Sequence, residues 1–166
     1  MRIKYKFCPQ CATKLAIKEG YPFCSKCKVH VYENSKPAAG VLIIKGGKVL
    51  LTRRGVKPCK GKYDAVGGFL KYNEDPAKCV TREVKEETGL KIKIIDLLGI
   101  YTDTYGRGGD AVLVLYYVCK IVSGTPKPQD DVAELVWFDI EKIPKMAFRH
   151  QKKVIKDLKR WFKECC

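Results

Sequence analysis

Five charged groups crowd into six positions of this 166-residue chain, Arg82-Glu83-Val84-Lys85-Glu86-Glu87. At about 100° per residue on a helix, Glu83, Glu86 and Glu87 fall within an arc of about 100°, so three carboxylates share one patch. Like charges placed this closely repel, and a fold keeps them either by facing them to water among ion pairs or by binding cations. As hard oxygen ligands they suit Mg2+ or Mn2+, with substrate phosphates completing an octahedral shell. Arg82 adjoins Glu83 and precedes Glu86 by one turn, where it can hold a carboxylate in orientation.

A second group of residues points to a different metal. Cys8-Pro-Gln-Cys11 and Cys24-Ser-Lys-Cys27 are two Cys-x-x-Cys pairs separated by twelve residues, and four thiolates at this spacing can close a tetrahedral Zn2+ site. With all four positions taken by protein, the expected role is structural, and residues 1–30 hold too few apolar side chains to fold without the metal. Two disulfides or redox pairs are the competing reading. No apolar signal segment precedes the cysteines, which points to a reducing, cytoplasmic setting where disulfides are uncommon. Cys59, Cys79 and Cys119 read as buried or half-buried thiols. Cys165 and Cys166 end the chain without a pattern.

The elements that must position these groups are legible in outline. Asp75 suits an N-cap, Pro76 the first helical position and Gly89 the left-handed residue past the end, so the carboxylates sit on a helix over 76–88. Ala77, Val80 and Val84 form its apolar stripe. Short strands around 15–17 and 21–23, with Gly20 between, fit a zinc-ribbon hairpin. A polar linker follows, and the spacing predicts a ribbon over 1–33 and a second domain over 34–166. That domain opens with a hairpin, strand 38–45, Gly46-Gly47 and strand 48–53. Residues 54–65 read as loop leading into Gly67-Gly68. Long strands are expected over 90–103 and 111–122, a shorter one over 134–140, and a basic helix over 147–163 whose buried stripe is Phe148, Val154, Ile155, Leu158 and Phe162.

Composition bounds the rest. Apolar residues are 46% and charged residues 31%, which is globular usage, and the formal charge of +15 favours anionic partners from nucleotides to RNA. No run of about 18 apolar residues exists, so no membrane span is expected.

Nine fixed positions over 23 residues, Gly68, Glu74, Arg82, Glu83, Val84, Glu86, Glu87, Gly89 and Leu90, resemble the signature box of the Nudix hydrolases without exception. The ribbon, tyrosine, linker and domain are similar to the layout of the NADH pyrophosphatases and related zinc-ribbon members acting on ADP-ribose-like or flavin nucleotides. The resemblance implies an α/β fold, an α/β/α sandwich with a mixed sheet. It also implies divalent-metal hydrolysis of a nucleoside diphosphate linked to another group. Carried over, the metal set falls on the Gly67 carbonyl, Glu83, Glu86, Glu87 and Asp131, where glutamate is usual in place of Asp131. The aromatic residues expected to stack on the base are Tyr32 and Phe69. Glu83 or Glu87 is the expected general base. NADH-cleaving members carry a proline- and tryptophan-rich motif after the box. This chain instead has Tyr101 to Asp110, including Tyr105 and Arg107, which can meet a base or phosphate or form a hairpin tip. ADP-ribose is therefore expected to be preferred over NADH. Removal of nucleotide caps from RNA and a catalytically silent sensing module are the alternatives. Homodimers are common among relatives, although no interface is legible here.

Overall fold

The computed structural model describes residues 5–105 and 109–165; Arg107 and Cys166 lie outside them. The chain divides into two compact units, Met1–Ser35 and Lys36–Cys166.

In the first unit, β1 (Ala16–Lys18), β2 (Tyr21–Cys24) and β3 (Val29–His30) form an antiparallel sheet in that order. Glu19 and Gly20, both with positive φ, make the two-residue turn between β1 and β2. The two cysteine pairs repeat one local geometry. Ala12 N–H donates to the Cys8 carbonyl and Lys28 N–H to the Cys24 carbonyl, and Ala12 and Lys28 share a left-handed φ near 60°. These turns bring the four sulfurs within 4.8 Å of one another.

The second unit is built on a seven-stranded sheet. β4 (Lys36–Lys45) and β5 (Lys48–Arg54) form the hairpin expected from Gly46-Gly47, and β6 (Tyr63–Asp64) and β7 (Val66–Phe69) follow. After α1 (Pro76–Thr88) come β8 (Lys91–Thr104), β9 (Ala111–Ser123), β10 (Val132–Asp139), a 3-10 turn (Ile140–Lys142) and α2 (Gln151–Cys165). The main order is β10-β5-β4-β9-β8, with β6 paired to β5 and β7 to β4; β4 and β9 run parallel and the other pairs antiparallel.

Strand alternation assigns the two faces. Ala39, Val41 and Ile43 of β4 pack with Val80 and Val84 of α1, while Ala38 and Leu42 belong to the core that holds Val154 and Leu158 of α2. This is the α/β/α sandwich with a mixed sheet. No helix among the described residues is long and apolar enough to cross a membrane.

Three expectations change. The stretch 54–65 is not wholly loop, since Tyr63–Asp64 pairs with Thr52 and Arg53. Gly67 and Gly68 are strand residues paired with Gly40 and Ala39, so the signature box begins on a strand and not in a loop. The last helix starts at Gln151, because Ala147 N–H bonds to the Tyr63 carbonyl and Gln151 Oε1 accepts from Phe148 N–H; Phe148 therefore precedes the helix.

Candidate active site

Helix α1 is placed by its caps. Asp75 Oδ1 accepts from Ala77 N–H and Lys78 N–H, and Gly89 closes the other end with φ 72°. With Val80 and Val84 fixed against the sheet, the three box glutamates separate into two environments. Glu83 and Glu87 line a cavity of about 240 Å3, whereas Glu86 lies outside it with its side chain 46% exposed.

Arg82 ties the group together. Its Nε and Nη2 fork onto Glu74 at 2.8 Å each, Nη1 reaches Glu83 Oε1 at 2.6 Å and Glu86 Oε2 at 3.0 Å, and Nη2 also donates to the Phe69 carbonyl at 3.3 Å. Charge-assisted bonds of this kind fix orientation as well as charge. The Arg82 fork, ahead of a Lys71 N–H bond, holds the Glu74 carboxyl down to about 2. Glu74 thus anchors the arginine that orients Glu83.

Two glycines make the approach possible. At Gly68 a Cβ would collide with the Glu83 carboxylate, and at Gly67 it would collide with the Ala39 carbonyl, at a φ of 151° that side chains rarely adopt. The strand therefore lies directly under the carboxylates. Gly67 N–H donates to Glu87 Oε1 at 3.3 Å. Glu87 is 7% exposed, and burial, reinforced by Asp131, Glu83 and Asp64, pushes its carboxyl up to about 9 against that one bond. Burial also raises Glu83, with Arg82 opposing. A buried carboxyl set among other carboxylates, with room kept for them by missing side chains, is a donor set that fits a hard divalent cation.

Asp131 and Gly67 line the same cavity, as does Phe69, 41% exposed and edge-on to Tyr105. Tyr32 belongs to the first unit, 57% exposed, with its ring edge-on to Tyr21. The sulfurs of Cys8, Cys11, Cys24 and Cys27 all lie within 4.8 Å of one another, close enough to share one metal ion.

The other end of the cavity was not foreseen from the residues. A hydrogen-bonded chain crosses it: Asp103 Oδ2 to His150 Nδ1 at 3.0 Å, His150 Nε2 to the Tyr116 hydroxyl at 3.1 Å, Gln151 Nε2 donating to that hydroxyl at 3.1 Å and to Asp64 Oδ1 at 2.5 Å, and Arg54 donating to Asp64 Oδ2 at 2.8 Å. Burial works against the Asp103 charge, but the His150 backbone N–H and ring outweigh it and hold this carboxyl down to about 2. Tyr116 sits over Gly40, where a Cβ would come within 2.6 Å of its ring. Phe148 stacks on Tyr105 with centroids 5.5 Å apart. One signal for this end was available, since Gln151 occupies the buried face of α2 at i−3 from Val154.

A family model described as the NUDIX domain matches residues 34–158. The ADP-ribose pyrophosphatase of Methanocaldococcus jannaschii is 37% identical over 134 residues, which is 81% of this chain and 79% of that protein. The NAD-capped RNA hydrolase NudC of Pseudomonas aeruginosa is 30% identical over 142 residues; the match covers 84% of this chain and 49% of NudC, so the chain spans about half the length of that relative. A solved NUDIX hydrolase from Nitrosomonas europaea superposes with a TM-score of 0.78 at 28% identity, over 97% of this chain and 92% of the other. By sequence and by fold alike, the chain belongs to the Nudix family of hydrolases.

Proposed function

We propose that the protein hydrolyses the diphosphate of an ADP-ribose-like nucleotide, with Mg2+ or Mn2+ held by Glu83, Glu87, the Gly67 carbonyl and Asp131. The observation that carries this reading is the lining of one cavity, where Glu83, Glu87 and Asp131 are joined by an arginine, Arg54, and three aromatic rings, Phe69, Tyr105 and Phe148. Held by these carboxylates, the metal would supply charge neutralisation and a lowered pKa for water. Water oxygen bonds to one phosphorus, the bridging P–O bond breaks with its electrons on the departing phosphate, and a carboxylate takes the proton. Glu83 and Glu87 face the cavity, so that acceptor is one of these two. Glu86 tethers Arg82, and Glu74 keeps Arg82 in place to orient Glu83. Stacking on Phe69 or Tyr105 holds the base.

ADP-ribose, FAD, NADH and dinucleoside polyphosphates, each incubated with magnesium or manganese and the products separated, test the reading. Hydrolysis of ADP-ribose to AMP and ribose 5-phosphate, faster than that of NADH, is expected. No cleavage of any of the four would overturn it.

One observation favours a second reading, removal of a nucleotide cap from RNA. A groove of about 700 Å3 carries Lys62, Lys145, Arg149 and Lys152 with no acidic residue, and it shares Phe148 with the cavity. Each phosphate contact there adds about 0.7 to the salt slope of single-stranded RNA binding. Lys145→Gln with Lys152→Gln is expected to lower that slope by about 1.4, and an unchanged slope would remove RNA from this groove.

In the first unit we assign the four cysteines to structural Zn2+. Zn–S bonds of about 2.3 Å in a tetrahedron place sulfurs about 3.8 Å apart, and Cys11 Sγ and Cys24 Sγ are 3.5 Å apart.

A further inference from the structure

Among the described residues lining the cavity, Arg54 is the sole lysine or arginine, against six carboxylates: Asp64, Glu83, Glu87, Asp103, Asp130 and Asp131. It is held from three sides. Nε donates to the Pro58 carbonyl at 2.7 Å, Nη1 to Asp64 at 2.8 Å and Nη2 to the Tyr105 hydroxyl at 3.4 Å, while its guanidinium carbon lies 5.4 Å from the Phe148 centroid. A guanidinium has five N–H groups. These contacts use three, leaving one on each terminal nitrogen without a protein partner among the described residues.

A purely structural role explains this poorly. A buried ion pair is weak as a stabiliser, and apolar residues of similar size often replace one without loss. Here, moreover, the partner is itself aligned, because the buried Gln151 amide holds Asp64. Two N–H groups on one guanidinium held in place by its other bonds can take two phosphate oxygens, and a lysine's flexible ammonium does not reproduce that planar pair.

We infer that Arg54 is the protein's own phosphate-binding residue, its two remaining N–H groups taking non-bridging oxygens of the substrate diphosphate while Asp64, Gln151 and Tyr105 keep the fork aimed. The inference rests on the diphosphate reading of the site, and it names the one lysine or arginine among the described residues that line the cavity. The nucleotide's negative charge then meets a fixed cation in a cavity otherwise rimmed by acids.

The test is calorimetric binding of inorganic pyrophosphate and of adenosine, with magnesium and again in chelator, to the wild type, Arg54→Gln and Arg54→Lys, alongside thermal unfolding. Loss of a charge-assisted pair of bonds predicts pyrophosphate binding weakened about tenfold to a hundredfold in Arg54→Gln. Arg54→Lys should recover part of it, and adenosine affinity should stay unchanged. Pyrophosphate binding within twofold of wild type in Arg54→Gln reduces the residue to a structural ion pair and overturns the inference. Equal loss for adenosine overturns it in favour of a contact to the base. Should Arg54→Gln fail to fold, Arg54→Lys decides, and unchanged pyrophosphate affinity in it refutes the fork. A wild type that binds pyrophosphate as expected yet cleaves no nucleotide would sink the proposed activity and leave Arg54 assigned.

Discussion

Glu87→Gln should make the metal-free protein more stable at neutral pH and less able to use metal. Glu87 is a buried carboxyl of the site, pushed from an ordinary 4.5 up to about 9 chiefly by burial. Between those values the folded chain holds a proton that the unfolded chain has released, so stability falls as pH rises, by about 1.4 kcal/mol per pH unit. At pH 7.5, three units above the ordinary value, the loss reaches about 4 kcal/mol, an upper figure because relaxation and water entry screen the group. Gln keeps the shape and the acceptor for Gly67 N–H and has nothing to titrate. Without added magnesium the variant should therefore unfold later than wild type at pH 7.5, by on the order of 10 °C for a chain of this size. The two should converge as pH approaches 4.5. Magnesium should then stabilise wild type, and more strongly as pH rises, while stabilising the variant much less. Unfolding followed by circular dichroism from pH 5 to 8.5 reads the difference directly. A wild-type minus variant difference that stays flat across that range would mean that Glu87 titrates as an ordinary carboxylate and that the electrostatic account of the site is wrong.

Gly68→Ala should cost turnover about a hundredfold with a small change in unfolding temperature, because its methyl group displaces the Glu83 carboxylate and not the core; steady-state rates beside thermal scans check this. Cys24→Ser should lose the one zinc per chain and expose residues 5–35 to proteolysis, whereas protein purified without added metal that lacks zinc yet resists protease would refute the assignment. Asp131→Asn should lower turnover less than Glu87→Gln, since it removes one peripheral charge and no buried one.

What the sequence made legible was local. Helix α1 runs over the expected residues because Asp75, Pro76 and Gly89 are themselves the physical causes of its ends. Glu83 and Glu87 were legible for the same reason, their shared cavity being a consequence of helical spacing. The strand under them was not, because Gly67 and Gly68 look like loop until the Ala39 carbonyl and the Glu83 carboxylate that require glycine are brought across the sheet. Glu86 belongs to the same helical arc yet stays exposed, since the stripe of Val80 and Val84 sets how the helix is rotated. The far end of the cavity draws on five segments, with Asp64 and Gln151 87 residues apart and Asp103 and His150 47 apart. No spacing rule joins such residues; only the packing of α2 on the sheet does.

The central claim is that Glu83 and Glu87 form the platform on which a nucleoside diphosphate is cleaved. Its most direct test is the rate of AMP release from ADP-ribose at saturating magnesium, measured for the wild type, Glu83→Gln, Glu87→Gln and Asp131→Asn with folding checked in each. The account predicts AMP and ribose 5-phosphate in equal amounts from the wild type. It also predicts a loss of about a hundredfold or more in either glutamine variant. Near-normal release from Glu87→Gln together with its abolition in Asp131→Asn would contradict it.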